Sequence, residues 1–445
     1  MKKPDKDLTI TSPFGDFILD TELLNDTFNY LANNLNKSDR VDRSVSRFFD
    51  CEPEGLECKE KYWNSKEYIY WAHSLMEVLN REWELIKTEN YNYGNAPTAA
   101  IWREEKVNDT TIKIPHKALL FLQHREDNTK IVIKFTPFDE YELDVQIYFQ
   151  QDKMDYTAFW ELVESHFYNE GLLKNASFDA QFGMLNIEPL DWDSIIIKSE
   201  DRQMIDRNIC NFIGMIEFYQ SKGLRGSRGV LVTGPPGTGK TLACKVVMNK
   251  IDATIIYIAR NAIAEVGAIT SLYKLARKLA PSLIIIEDID TLGGFDRRER
   301  DNPLLGEFLN CLSGVEENSG VITFATSNYP EDLDWALTDR PGRFDVRVNF
   351  GYPDKDARKS ILEKYIEPFD TTRLDLDCIA NRTDNFSGAY LQEIIQLAFM
   401  LSIEEGNKSI SQTHMDDALK SLTSQRREAT KEKGLFDGEQ EELWA

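Results

Sequence analysis

One stretch constrains this chain more than any other. GPPGTGKT occupies 234–241, between the apolar run GVLVT (229–233) and the helix-like LACKVVMNKI. It fits G-x-x-x-x-G-K-[ST] in the strand–loop–helix setting which that pattern requires. Gly234, Gly237 and Gly239 let the backbone curl until its N–H groups point inward at phosphate oxygens, with Pro235, Pro236 and Thr238 completing the loop. The helix N-terminus behind the loop adds partial positive charge. Lys240 is placed to reach the β- and γ-phosphates of a nucleoside triphosphate, and the Thr241 hydroxyl to ligate Mg2+.

SLIIIEDID (282–290) ends a run of Ile in two adjacent acids. A strand of Ile cannot bury charge cheaply, so Glu287 and Asp288 are expected at its C-terminal end, where ligands bind in open α/β sheets. One acid can hold Mg2+ through water and the other can polarise an attacking water. GVITFATSN (320–328) ends in Asn328, whose neutral amide can orient that water or sense a terminal phosphate. LTDRPGRFD (337–345) carries Arg340 and Arg343 around a stiff Pro-Gly, suited to neutralising charge that develops in phosphoryl transfer.

The spacing divides the chain. Residues 1–90 read as helical and polar, with a helix over 67–87. From about 98 to 150 the period changes to two, and AAIWREEKV, KALLFLQH, KIVIKFT and ELDVQIYFQ predict an antiparallel meander covered by a helix over 155–171. An α+β N-terminal domain is therefore expected over 1–190, with 185–194 as linker. Five apolar runs then alternate with helix-length segments: 229–233, 254–259, 282–288, 320–328 and 346–350. They predict an α/β domain over 191–352, a parallel sheet buried on both faces. Only helical periodicity follows, giving a helical subdomain over 353–428 and a charged tail over 429–445.

The formal net charge is −23, and residues 1–190 alone hold 21 basic against 34 acidic side chains. No segment offers the positive field that nucleic-acid backbones need, so that partner is disfavoured. Six scattered cysteines make no CxxC pair and no zinc pattern, as expected of reduced thiols. No run approaches a membrane span and the N-terminus lacks an apolar signal core, so the expectation is a cytoplasmic protein with no membrane partner.

Taken together, these motifs resemble those of the AAA family of ATPases over roughly 190–425. RGVLVTGPPGTGKTLACKVV is similar to the family's first nucleotide motif, APSLIIIEDIDTL to its second, and EFLNCLSGVEENSGVITFATSNYPEDLDWALTDRPGRFD to its long signature. NFSGAYLQEIIQLA resembles the lid segment that packs near adenine through Gly388 and Ala389. The resemblance implies a P-loop NTPase sheet with a helical lid, ATP and Mg2+ as ligands, and a homo-oligomeric ring, usually a hexamer. It also implies that Thr241 and Glu287 lie at the metal, that Arg340 and Arg343 reach a neighbouring subunit's γ-phosphate, and that the N-terminal domain selects a protein partner.

Three departures stand out. Glu287 then Asp288 reverses the usual Asp-Glu order, a feature similar to the mitochondrial AAA translocase of the Rieske iron–sulfur protein. ARNAIAEVGAITSLYK (259–274) has no aromatic before Gly267, where threading members carry one. Tyr390 stands where the lid motif has Asp, and no His-Glu-x-x-His occurs, so an active peptidase of the membrane-protease branch is not expected. The leading expectation is an ATP-hydrolysing machine that remodels a protein partner. The alternative, motivated by the first two departures, is an ATP-gated scaffold that hydrolyses slowly. A nucleic-acid ATPase ranks third; Arg297, Arg298 and Arg300 form the one dense basic cluster of the ATPase-like segment, better suited to pairing between subunits.

Overall fold

The structure is a computed structural model that describes residues 7–12, 15–20, 39–63, 66–90, 98–139, 142–259, 267–291, 303–313, 318–330, 333 and 343–432. The chain forms two compact units, Met1–Lys174 and Asn175–Ala445.

The first unit is more β-rich than its polar start suggests. β1 (Asp7–Ser12) and β2 (Gly15–Asp20) form an antiparallel pair, followed by α1 (Asp39–Phe49), β3 (Glu57–Trp63) and α2 (Glu67–Glu82). The helical pattern expected to 87 stops at Glu82. Trp83 turns extended and β4 (Trp83–Glu89) pairs with β6, because cross-strand partners there outweigh the helical spacing of Leu85. The meander follows as β5 (Ile101–Val107), β6 (Thr110–His124), β7 (Lys130–Pro137) and β8 (Leu143–Phe149), all antiparallel, in the order β3-β8-β7-β6-β4 with β5 also on β6. Pro115 lies in β6 beside a register shift in the β5 pairing, where a missing N–H is tolerated. Both faces of β6 are covered. Leu119 and Phe121 meet Val45 and Phe49 of α1, and the alternate Leu120 and Leu122 are buried too. α3 (Tyr156–Asn169) starts at Asp155, whose carboxylate accepts from Thr157 N and Ala158 N. Trp71 stacks on Phe167 and Trp160, so these aromatics are packing groups.

The second unit is built on a six-stranded parallel sheet in the order β14-β10-β13-β12-β11-β9. Its strands are β9 (Ser177–Asp179), β10 (Arg228–Thr233), β11 (Thr254–Ile258), β12 (Ser282–Ile286), β13 (Val321–Ser327) and β14 (Val346–Asn349). β12 and β13 are buried at every position, as runs without polar alternation require. Helices α4 (Lys240–Lys250), α5 (Ala268–Lys278) and α6 (Pro303–Ser313) intervene between strands. The helical subdomain comprises α7 (Lys355–Ile366), α8 (Leu376–Arg382), α9 (Gly388–Glu404) and α10 (Gln412–Glu432), around Leu362, Ile379, Leu391, Ile395 and Leu419.

The boundary expected at 190 lies instead at 174/175. β9 pairs with β11, Ile255 N donates to Ala176 O at 2.8 Å, and Phe178 is fully buried. Leu185, Ile187 and Leu190 pack on the core of the second unit, and buried Trp192 donates to Asp206 Oδ1 at 2.9 Å. The expected linker is thus part of the second unit, because its apolar side chains cover the sheet. Among the described residues, no helix is long and apolar enough to cross a membrane. The tail expected over 429–445 lies outside the described residues from 433 onward.

Candidate nucleotide site

β10 delivers the glycine-rich loop to the C-terminal edge of the sheet, where Phe350 N donates to Thr233 O and Gly234 N to Ser327 O. Gly237 and Gly239 take φ of +78° and +101°, which L side chains rarely adopt. A Cβ at Gly237 would meet Ser387 Oγ at 2.7 Å, and one at Gly239 would meet Ile195 Cδ1 at 2.6 Å. The loop is therefore held in a shape that only glycine fits. Gly239 caps α4, which puts a helix N-terminus directly behind it. Lys240 is buried, and its ammonium donates to the carbonyls of Gly234 (2.6 Å) and Pro235 (2.9 Å). Burial lowers its pKa, while Asp288 and Asp290 oppose that shift. Thr238 Oγ1 donates to Pro235 O at 2.9 Å, and Thr241 is exposed in the first turn of α4.

The two acids after β12 diverge. Glu287 accepts from the Tyr257 hydroxyl at 2.7 Å and contacts the buried Cys244 of α4. Burial raises the pKa of Tyr257, with Glu287 adding to it, so the phenol stays a donor. Asp288 has φ +48°, and this left-handed residue swings its side chain toward the end of β13. There Asn328 Nδ2 donates to Asp288 Oδ1 at 2.7 Å and Asp288 N donates to Thr326 Oγ1 at 3.0 Å. Asn328 is itself fixed, its N–H donating to Asp290 Oδ1 at 3.1 Å.

Lys240, Asp288 and Asn328 border a cleft of about 410 Å³, which Glu287 does not line. Its polar end holds Pro236–Thr241, Asp288 and Asn328; its apolar end holds Ile195–Ile197, Ile361, Tyr365, Gly388 and Ala389. Ala389 N donates to Gly237 O at 3.2 Å, tying the lid to the loop. Gly234 and Pro235 supply carbonyls to Lys240 and do not line the cleft. Arg343 is not in it either. β14 pairs with β10 from Val230↔Val346 onward, so Arg343 lies beside the start of β10, roughly 13 Å along the strand from the loop at its end. Arg340, the segment 260–266, and Arg297, Arg298 and Arg300 lie outside the described residues.

Residues 230–352 match the model of the ATPase family associated with various cellular activities, and 373–417 match the AAA+ lid domain. The chain carries an AAA ATPase module. Similar proteins include the ATP-dependent zinc metalloprotease FtsH of Staphylococcus haemolyticus, 35% identical over 49% of this chain and 32% of that protein. YME1L of Drosophila melanogaster is 32% identical over 55% of this chain and 35% of its own length. The chloroplastic FTSH 2 of Oryza sativa is 34% identical over 49% and 35%. The chain thus spans about a third of the length of these relatives.

The AAA module uses ATP with Mg2+, and the residues fit that pair. The loop cradle and the buried ammonium of Lys240 suit a polyphosphate, and the Thr241 hydroxyl and the Asp288 carboxylate line the cleft with the oxygen donors that a hard cation takes, whereas Glu287, expected at the metal, is turned to Tyr257 and Cys244. No cluster of three or more His, Cys, Asp or Glu that could hold a metal occurs among the described residues. Sequence reasoning left Tyr257, Thr326 and Asp290 without a role. Asp290 was visible as the third acid of SLIIIEDID, whereas Tyr257 was absorbed into the strand pattern.

Proposed function

We propose that this protein hydrolyses ATP in a homo-oligomeric ring and uses the cycle to remodel a protein partner selected by its N-terminal unit, in the cytoplasm. The observation that carries the reading is the convergence of Lys240, Asp288 and Asn328 on one cleft at the C-terminal ends of three parallel strands. Bound Mg2+ would neutralise charge on the phosphates, with Thr241 as its protein ligand. Lys240 exchanges its two carbonyl partners for phosphate oxygens. Asp288 accepts the proton of the attacking water, and the Asn328 amide holds that carboxylate in line. The apolar end of the cleft suits a purine base between Ile195 and Ile361.

Arg343 supports the ring. It stands at the far end of β10 from its own loop, so a terminal phosphate comes within its reach only in another copy of the chain. Arg340, two residues before Gly342, is proposed for the same role. Purified protein should turn over ATP with Mg2+, and Lys240→Ala should abolish it. Equal turnover in both would overturn the proposal. The second reading, a slow ATP-gated scaffold, is favoured by the Glu287-Asp288 order, which puts the shorter acid at the water. It requires partner release to be the same with ATP and with a non-hydrolysable analogue.

A further inference from the structure

Hydrogen bonds cross from the turn after β12 to the end of β13. Asp288 N donates to Thr326 Oγ1, Asn328 Nδ2 to Asp288 Oδ1, and Asn328 N to Asp290 Oδ1 at 3.1 Å. They differ in what they restrain. The β10–β13 ladder ends at Thr233↔Ser327, so Asn328 is the first residue past it. Its contact with Asp288 is made by a side chain, which turns about its own bonds. Its contact with Asp290 is made by the main chain and fixes where that side chain starts. Asp290 is a firm anchor, because it follows the fully buried Ile289 in the 3-10 turn Ile289–Thr291. Its second oxygen, Oδ2, is buried and has no hydrogen-bond partner among the described residues, so the bond to Asn328 is the one this carboxylate serves. Asn328 and Asp288 line the cleft, and Asp290 does not.

We infer that Asp290 is a positioning residue for hydrolysis: by accepting from the Asn328 main chain, it keeps the Asn328 amide seated on Asp288, and with it the carboxylate that faces the attacking water. It acts through Asn328 from outside the cleft. The inference rests on the reading of that cleft above as an ATPase site.

The test is steady-state ATP turnover of the full chain, with kcat and KM separated and affinity for a non-hydrolysable ATP analogue measured alongside. Asp290→Ala removes the acceptor and should lower kcat about tenfold or more, since misplacing a catalytic group by about 1 Å can cost a hundredfold. KM and analogue affinity should stay within about twofold of wild type, because the phosphate loop and the apolar end of the cleft are untouched. Asp290→Asn keeps an amide oxygen where Oδ1 accepts and should recover kcat to within about threefold of wild type. An unchanged kcat in Asp290→Ala, or a loss in Asp290→Asn as deep as in Asp290→Ala, would overturn the inference while leaving the nucleotide reading intact. Should Asp290→Ala lose analogue binding, the near-isosteric Asp290→Leu, which also lacks the acceptor, carries the same prediction. Loss of binding in both would make Asp290 a folding determinant and overturn the inference. If wild type turns over ATP no faster than Lys240→Ala, the inference and the nucleotide reading fall together.

Discussion

Asp288 occupies a left-handed conformation that costs an L residue on the order of 1–2 kcal/mol, and it is held there by two contacts to β13, through Thr326 Oγ1 and the Asn328 amide. Asparagine tolerates this conformation as well as aspartate does. Asp288→Asn should therefore melt like wild type and still bind ATP, while turnover drops by about 10²-fold or more if Asp288 is the base, as proposed. Calorimetry and a phosphate-release assay would check the two halves. Much of the residue scale was legible in the sequence, because GPPGTGKT and the strand-end acids carry their chemistry in residue type and spacing. What was not legible is orientation. Neighbouring acids on a strand have opposite faces by default, but which of them meets Asn328 depends on a positive φ that no local pattern announces. The lid residue Tyr390 is another case. Arg426 lies over its ring at 5.3 Å and over Phe386 at 5.0 Å, so a cation–π contact occupies the position where an aspartate was expected.

Elements with strong periodicity were the ones the sequence foretold. The five buried runs of the parallel sheet and the meander strands other than β6 lie within a few residues of their expected spans, since burial on one or both faces imposes the pattern, whereas β6 starts at Thr110, well before the expected KALLFLQH. Short elements escaped. β9 has three residues, too few to show a period, yet it closes the β11 edge of the sheet. β4 was hidden because its apolar residues happened to continue the spacing of α2. Phe178 is the buried anchor of β9 and stacks on Phe182. Phe178→Ala should destabilise the second unit by about 3–5 kcal/mol, as large-to-small core substitutions of phenylalanine do. Urea unfolding followed by far-UV circular dichroism would measure it. A loss below about 1 kcal/mol would mean that β9 is only loosely attached.

At the scale of the whole molecule, the placement of Arg343 leads to a complementation experiment. Arg343→Ala and Lys240→Ala should each be inactive alone. Mixed in equal amounts in a ring of head-to-tail contacts, roughly a quarter of sites would combine an intact loop with an intact arginine from the next copy. ATPase activity should then reappear on mixing, and its failure to do so would argue against shared sites. The sequence divided the chain near the correct place but sixteen residues late, because the apolar residues after Lys174 look like a connector until the sheet they cover is seen.

The hydrogen bond from Ala389 to Gly237 has a mechanical corollary. The same peptide group belongs to the cradle on one side and anchors the leading turn of α9 on the other. Whatever reshapes that glycine tugs on a seventeen-residue rod, so the helical cap behaves as a lever whose fulcrum is a single carbonyl.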